Sequence, residues 1–295
     1  MNNFKIFSDS SCDIDEMTLK QYDIHRIPFY ISFDQEVYEK EIEEISLESF
    51  FQRLTEKKVF PKTSLPSIQD YINNFEPHLQ KGLDILCICI SSNFSGSYQS
   101  AKSAASILSE DFPERKILIT DSIQATGGQG ITVLEAARMR DAGYSVIKTF
   151  ETLEKLKSTS RIMFTVGTLE YLQRGGRIGK AASLAGSLLH LMPMIQLKDG
   201  ELVPYGTVRG RNRSLNKIST MVEEYFSESG EKMEDYRFGI ISGTTIEDTL
   251  TFQKAYENLI GHQIDYPFFP LGVTIGTNTG PDPVGACFIK KFDRI

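Results

Sequence analysis

The first half of the chain alternates short apolar runs with amphipathic stretches. Phe4–Phe7, Ile27–Phe33, Asp84–Ile90 and Lys116–Thr120 are brief, mostly apolar and bounded by polar turns, the pattern of strands. Ser46–Glu56 opens on a Ser cap and carries Leu47, Phe50, Phe51 and Leu54 at helical spacing. Further helices are predicted from Ser67 onward and over Ser97–Leu108, Thr126–Ala142 and Val146–Thr159. Strand–helix alternation of this kind predicts a parallel sheet covered by helices on both faces.

The rhythm changes near Ser160. Ile162–Val166 reads as a strand, Leu169–Gln173 as the start of a helix that RGGRIG interrupts, and Ala181–Leu191 as a small apolar stretch before Pro193. Met194–Leu197 and Leu202–Gly206 flank the turn Lys198–Gly200 and predict a hairpin. Arg211–Phe226 and Ile246–Ile260 are helical, whereas Arg237–Ser242, Ile264–Pro270 and Val284–Lys290 are strand-like. The expected fold class is α/β in two domains. Residues 1–160 form an N-terminal parallel-sheet α/β/α domain, and residues 161–295 a C-terminal two-layer mixed-sheet α/β domain. No low-complexity linker separates the halves, so they are expected to pack closely.

Composition narrows the function. A length of 295 residues suits two cores better than one, and 40% hydrophobic with 24% charged residues describes an ordinary folded protein. The net charge of −7 argues against a nucleic-acid partner. No apolar run approaches the roughly 20 residues that span a bilayer. The N-terminus reaches Asp9 without a long apolar segment, so no signal peptide is expected and the expected location is the cytoplasm. Cys12, Cys87, Cys89 and Cys287 form no CxxC, and Cys87 and Cys89 share one face of an apolar run as core thiols. His25, His78, His190 and His262 have no neighbours at ligand spacing, so neither a metal site nor a cofactor is expected. His78 reads as a surface residue.

Four polar loops carry the candidate chemistry. Lys62–Ser67 (KTSLPS) precedes a helix, and Ser91–Ser97 (SSNFSGS) leads from an apolar strand into another. A Ser/Gly loop in that position presents amides and hydroxyls to an anion, although a plain cap and turn would have the same composition. Arg174–Lys180 (RGGRIGK) misses the phosphate-loop pattern, yet two Arg around a Gly pair can clamp a carboxylate, a solvated basic turn being the plainer reading. Gly276–Gly285 (GTNTGPDPVG) has the Gly and Pro of a tight, fixed loop before a strand. Ser95 fails the GxSxG nucleophile pattern, and no base is in evidence beside it.

In this order, FSDSSCDI at Phe7–Ile14, KTSLPS, SSNFSGSYQSA at Ser91–Ala101, DSIQATGGQG at Asp121–Gly130, TLEYLQRGGRIGK at Thr168–Lys180 and GTNTGPDPVG resemble the DegV family. The family comprises bacterial fatty-acid-binding proteins, and the likeness spans nearly the whole chain. It implies two α/β domains holding a long-chain fatty acid between and inside them. By motif match Thr63 and Ser95 are the main carboxylate ligands, with Ser64, Gly96, Arg174, Asn278 and Thr279 around them. The acyl tunnel is expected in the second domain, along Leu188, Leu191, Met192 and Met194.

The resemblance also implies a carrier with no chemistry of its own, which presents its ligand to an ATP-dependent fatty acid kinase subunit for acyl-phosphate formation. It would touch the membrane surface transiently. Arg209, Arg211 and Arg213 are candidates for that face, although a solvated helix start explains them more simply. Two departures stand out: Asn278 where the family usually has His, and Asp282 where Gly is expected, which would bring a negative charge near the carboxylate. The alternatives are an enzyme in its own right, either a Ser-dependent acyl hydrolase or a phosphotransferase, and a sensor of another amphipathic acid.

Overall fold

Every residue of the first strand, Phe4–Asp9 (β1), is buried, because it lies inside a parallel sheet in the computed structural model of the chain. The structure describes residues 4–57, 60–184, 191–266 and 268–295. The other strands of that sheet are Ile24–Ile27 (β2), Asp84–Cys89 (β6) and Ile117–Asp121 (β7), in the order β2–β1–β6–β7, all parallel. Between β2 and β6 in sequence, Tyr30–Ser32 (β3), Glu39–Lys40 (β4) and Lys62–Ser64 (β5) form a small antiparallel sheet in the order β4–β3–β5. The second half supplies Arg161–Thr165 (β8), Leu191–Lys198 (β9), Glu201–Arg209 (β10), Tyr236–Ser242 (β11), Phe269–Pro270 (β12) and Val284–Lys290 (β13). These make a mixed sheet in the order β10–β9–β8–β13–β11–β12.

Helices sort by face. Glu16–Gln21 (α1) and Leu47–Lys57 (α2) come first; Ile68–Leu79 (α3) and Ser97–Asp111 (α4) cover one face of the parallel sheet. Strand alternation sends Phe7, Ile85 and Cys87 to that side, against Tyr71, Phe75 and Ala104. Ile6, Leu86 and Ile88 point the other way, against Thr126–Asp141 (α5) and Val146–Leu156 (α6). In the second half, Glu170–Gly175 (α7) precedes the mixed sheet's hairpin, and Arg211–Ser229 (α8) and Ile246–Ile260 (α9) cover one face of that sheet. The short helix Val273–Thr279 (α10) packs against α7 and α2.

Helix α5 joins the halves. Almost all of its residues are buried, and the core it belongs to contains Ile6 and Leu86 of the parallel sheet together with Ile162, Ile241 and Cys287 of the mixed sheet. Its glycines permit this. A Cβ on Gly130 would stand 2.5 Å from the Cys12 carbonyl oxygen, and one on Gly127 2.9 Å from Cys287 Sγ.

Several details differ from the sequence pattern. The Ile27–Phe33 run is split, because Pro28 cannot donate to a ladder and the chain passes there from β2 to β3. Among the described residues of the expected strand Ile264–Pro270, only Phe269–Pro270 pairs as a strand, beside β11. His78 is half-buried rather than on the surface, its ring edge-on to Phe7 and His25 at 5.4 and 5.3 Å. The stretch Gly276–Thr279 is helical, not an irregular loop. The expected hairpin is present and longer, and its turn holds Asp199 and Gly200 at φ of 51° and 80°.

Candidate functional site

A cavity of about 250 Å³ lies where β5, the loops opening α4 and α5, α10 and one face of the mixed sheet meet. One end is hydroxyl-rich and the body is apolar. At the polar end stand Thr63 and Ser64 of β5, Ser95 and Gly96 before α4, Arg177 after α7, and Asn278 and Thr279 at the end of α10. The apolar wall includes Ile162 and Phe164 of β8, Leu197 and Leu202 of the hairpin, Leu172 of α7 and Ile275 of α10.

Each polar residue is held by its own local structure. Thr63 pairs across the small sheet with Ile31, which fixes its backbone at half exposure. The loop carrying Ser95 follows β6, and its hydroxyl accepts from the Ser97 amide at 3.2 Å. Ser97 Oγ in turn donates to Asp9 at 2.6 Å and lies 2.6 Å from the Tyr71 hydroxyl. Asp9 also accepts from the Ile90 amide and from Gln129, so a buried carboxylate on β1 anchors the start of α4. Burial raises the Asp9 pKa above its usual range, against the pull of its bonds to Ser11, Ser97, Gln129 and Ile90.

The two halves are tied together across the mouth. Arg177 Nε donates to the Phe94 carbonyl at 3.1 Å, and Asn93 Nδ2 donates to the Gly200 carbonyl at 3.2 Å. Arg177 is therefore the guanidinium that borders the cavity. Arg174 is not, because it pairs with Glu170 at 2.9 Å and lies over the Phe60 ring at 3.9 Å. Gly176, with φ of 70°, ends α7 between the two arginines and turns them to different sides. The Gly176 cap decides which of the two arginines in RGGRIG borders the cavity.

Helix α10 is started by a residue far away in sequence. Glu41 accepts from the Val273 amide at 2.6 Å and from Thr274 Oγ1 at 2.8 Å, and it accepts from Ser10 as well. Burial raises its pKa despite these bonds. Asn278 donates to the Thr274 carbonyl at 3.0 Å, and its Oδ1 sits against Gly175, where a Cβ would be 2.2 Å away. Thr279 donates to the Ile275 carbonyl at 2.9 Å. Asp282 does not border the cavity; its carboxylate lies beside Gly167 instead, because Pro283 is the residue turned inward.

The tunnel residues expected from sequence are placed differently. Leu188 lies outside the described residues. Met194 is buried on the opposite face of the mixed sheet, in the core with Met163, Ile218 and Phe226, because alternation along β9 turns it from Ile195 and Leu197. Leu191 and Met192 are half-buried on β9 and do not border the cavity. Sequence reasoning also passed over Phe29, Thr126 and Thr274, which do. Of the Arg209, Arg211 and Arg213 group, Arg211 turns inward to Asp248 and the Asp282 carbonyl, both at 2.7 Å. Among the described residues no group of three or more His, Cys, Asp and Glu could hold a metal ion, and no helix is long and apolar enough to cross a membrane.

The chain resembles solved structures over its whole length. A stearic-acid-binding protein from Eubacterium ventriosum is 34% identical, with a TM-score of 0.94 covering 99% of this chain and 100% of that one. A fatty-acid-binding DegV protein from Bacillus subtilis is 28% identical, with a TM-score of 0.83 over 98% and 99%. A DegV domain-containing protein of Clostridium perfringens is 31% identical over 98% of both chains. A model of the family described as uncharacterised protein, DegV family, matches residues 3–291. This chain belongs to the DegV family.

Proposed function

We propose that this protein binds a long-chain fatty acid and presents it to an ATP-dependent kinase subunit that forms the acyl-phosphate. The observation that carries the reading is one cavity with a hydroxyl- and guanidinium-bearing mouth and an apolar body. The carboxylate would be held by the Thr63 and Ser95 hydroxyls, with Ser64, Gly96 and Arg177 beside them, because a carboxylate taken from water needs several donors or it protonates. Each acyl CH₂ buried against Ile162, Phe164, Leu197 and Ile275 contributes about 0.8 kcal/mol. Fatty-acid binding by the Eubacterium and Bacillus relatives supports the same ligand class here. The kinase partner and a passing contact with a membrane surface are what the family resemblance implies, and a cytoplasmic location is proposed with them.

A carrier role fits the surroundings of Ser95 better than hydrolysis does. Its hydroxyl oxygen accepts from a backbone amide, and among the described residues it donates to no His or carboxylate that could take its proton. The protein purified from cells, denatured and extracted, should yield a long-chain fatty acid by mass spectrometry. Absence of lipid, together with no binding of added palmitate or oleate, refutes the proposal. Ester turnover by the isolated protein would favour the hydrolase instead.

A further inference from the structure

Among the described residues that border the cavity, none belongs to the motif FSDSSCDI, yet its Asp9, Ser10 and Ser11 are at most 2% exposed. β1 ends at Asp9, and Ser10–Cys12 form one turn of 3₁₀ helix, which sends consecutive side chains to different sides. Ser11 Oγ donates to Gln129 Oε1 at 2.8 Å and so fastens the turn to α5. Asp9 and Ser10 reach the two structures that carry the proposed carboxylate ligands.

Asp9 closes the loop of Ser95 at both ends. Its Oδ2 accepts from the Ile90 amide at 3.0 Å, where the loop begins, and from Ser97 Oγ at 2.6 Å, where α4 takes over. Gln129 Nε2 donates to the other oxygen at 2.9 Å. Inside the closed loop the Ser97 amide donates to Ser95 Oγ at 3.2 Å, which orients that hydroxyl and leaves its proton for a ligand.

Ser10 does the same for the strand of Thr63. Its hydroxyl accepts from the Phe29 amide at 2.9 Å and donates to Glu41 at 2.7 Å, and the Glu41 amide donates to the Phe29 carbonyl at 2.9 Å. Phe29 and Glu41 stand just before β3 and just after β4, so this ring of bonds fixes the base of the small sheet. β3 pairs in turn with β5, where Ile31 lies opposite Thr63. Burial raises the pKa of both Asp9 and Glu41, a cost that an uncharged cap at either place would avoid. What the charged groups add is stiffness, since a buried network with its donors and acceptors paired has one arrangement. The two anchors are adjacent in the chain, about 3.8 Å apart at Cα, and cannot drift from each other.

We infer that Asp9 and Ser10 are positioning residues for fatty-acid binding, holding the Ser95 loop and the Thr63 strand at the separation that one carboxylate spans. This rests on the fatty-acid reading above. The test is calorimetry of delipidated protein with laurate, myristate and palmitate. Ser97→Ala and Ser10→Ala each remove one hydroxyl and no backbone bond, and the binding stoichiometry counts folded sites, so affinity is read apart from any loss of folded protein. Each should weaken palmitate roughly fivefold, part of the tenfold or more due to the hydroxyl it positions. In a Ser95→Ala background Ser97→Ala should add less than about twofold, and Ser10→Ala likewise in Thr63→Ala, because nothing is left to position. The step in affinity from laurate to palmitate should stay that of the wild type. Wild-type affinity in either variant, a loss that persists undiminished in the matching background, or a changed step overturns the inference and leaves the fatty-acid reading standing. Failure of the wild type to bind any of the three acids overturns both.

Discussion

Replacing Ser95 and Thr63 by Ala, singly and together, separates the head of the ligand from its tail. A hydrogen bond to a charged group contributes about 1.5–3 kcal/mol, or roughly ten- to a hundred-fold in Kd. Ser95→Ala belongs at the lower end. Its loss frees the Ser97 amide, now 3.2 Å from the Ser95 hydroxyl, to turn to the carboxylate itself. Thr63→Ala belongs higher, since its backbone is committed to pairing with Ile31 and offers no substitute donor at that point. Both hydroxyls serve one carboxylate, so the double variant should lose less than the product of the single effects. Both residues are half-exposed, so unfolding midpoints should move little. The assay is calorimetry with saturated acids of increasing length. Every two carbons should tighten binding by about fifteenfold in wild type and variants alike, because that slope belongs to the apolar walls. The substitutions should shift only the intercept. An unchanged intercept in the double variant, or a changed slope, would show that the carboxylate lies elsewhere.

Two further outcomes follow from the buried groups. Burial raises the Asp13 pKa well above that of an exposed carboxyl, with Glu41 pushing the same way and Thr126, the Gly272 amide and Arg26 opposing. The folded state then keeps its proton to higher pH than the unfolded chain does. The stability due to Asp13 is full below the unfolded value of about 3.9 and is lost as pH rises toward the folded one. Asp13→Asn, which cannot ionise, should therefore gain on the wild type by about 1.4 kcal/mol per pH unit across that window in denaturant unfolding; a constant difference from pH about 4 to 7 contradicts the assignment. Gly175→Ala would set a Cβ 2.2 Å from Asn278 Oδ1. It should displace that amide and weaken fatty-acid binding roughly fivefold, or about 1 kcal/mol, with little change in Tm; full affinity would mean that Asn278 does not contribute to the mouth.

The alternation of strand and helix, the parallel sheet with helices on both faces, the hairpin at Lys198–Gly200 and the loops around Thr63 and Ser95 were all legible in the chain, because each depends on local spacing, caps and turn residues. What the chain order could not show was which face of each element meets the cavity. β9 is apolar on both sides, so its sequence does not tell that Leu197 lines the cavity while Met194 fills the core behind it. Arg174 and Arg177 are three residues apart, and only the left-handed Gly176 cap and the reach to Phe94 select the second. The helix at Val273–Thr279 is too short to be stable alone and takes its first-turn partner, Glu41, from the other half of the chain.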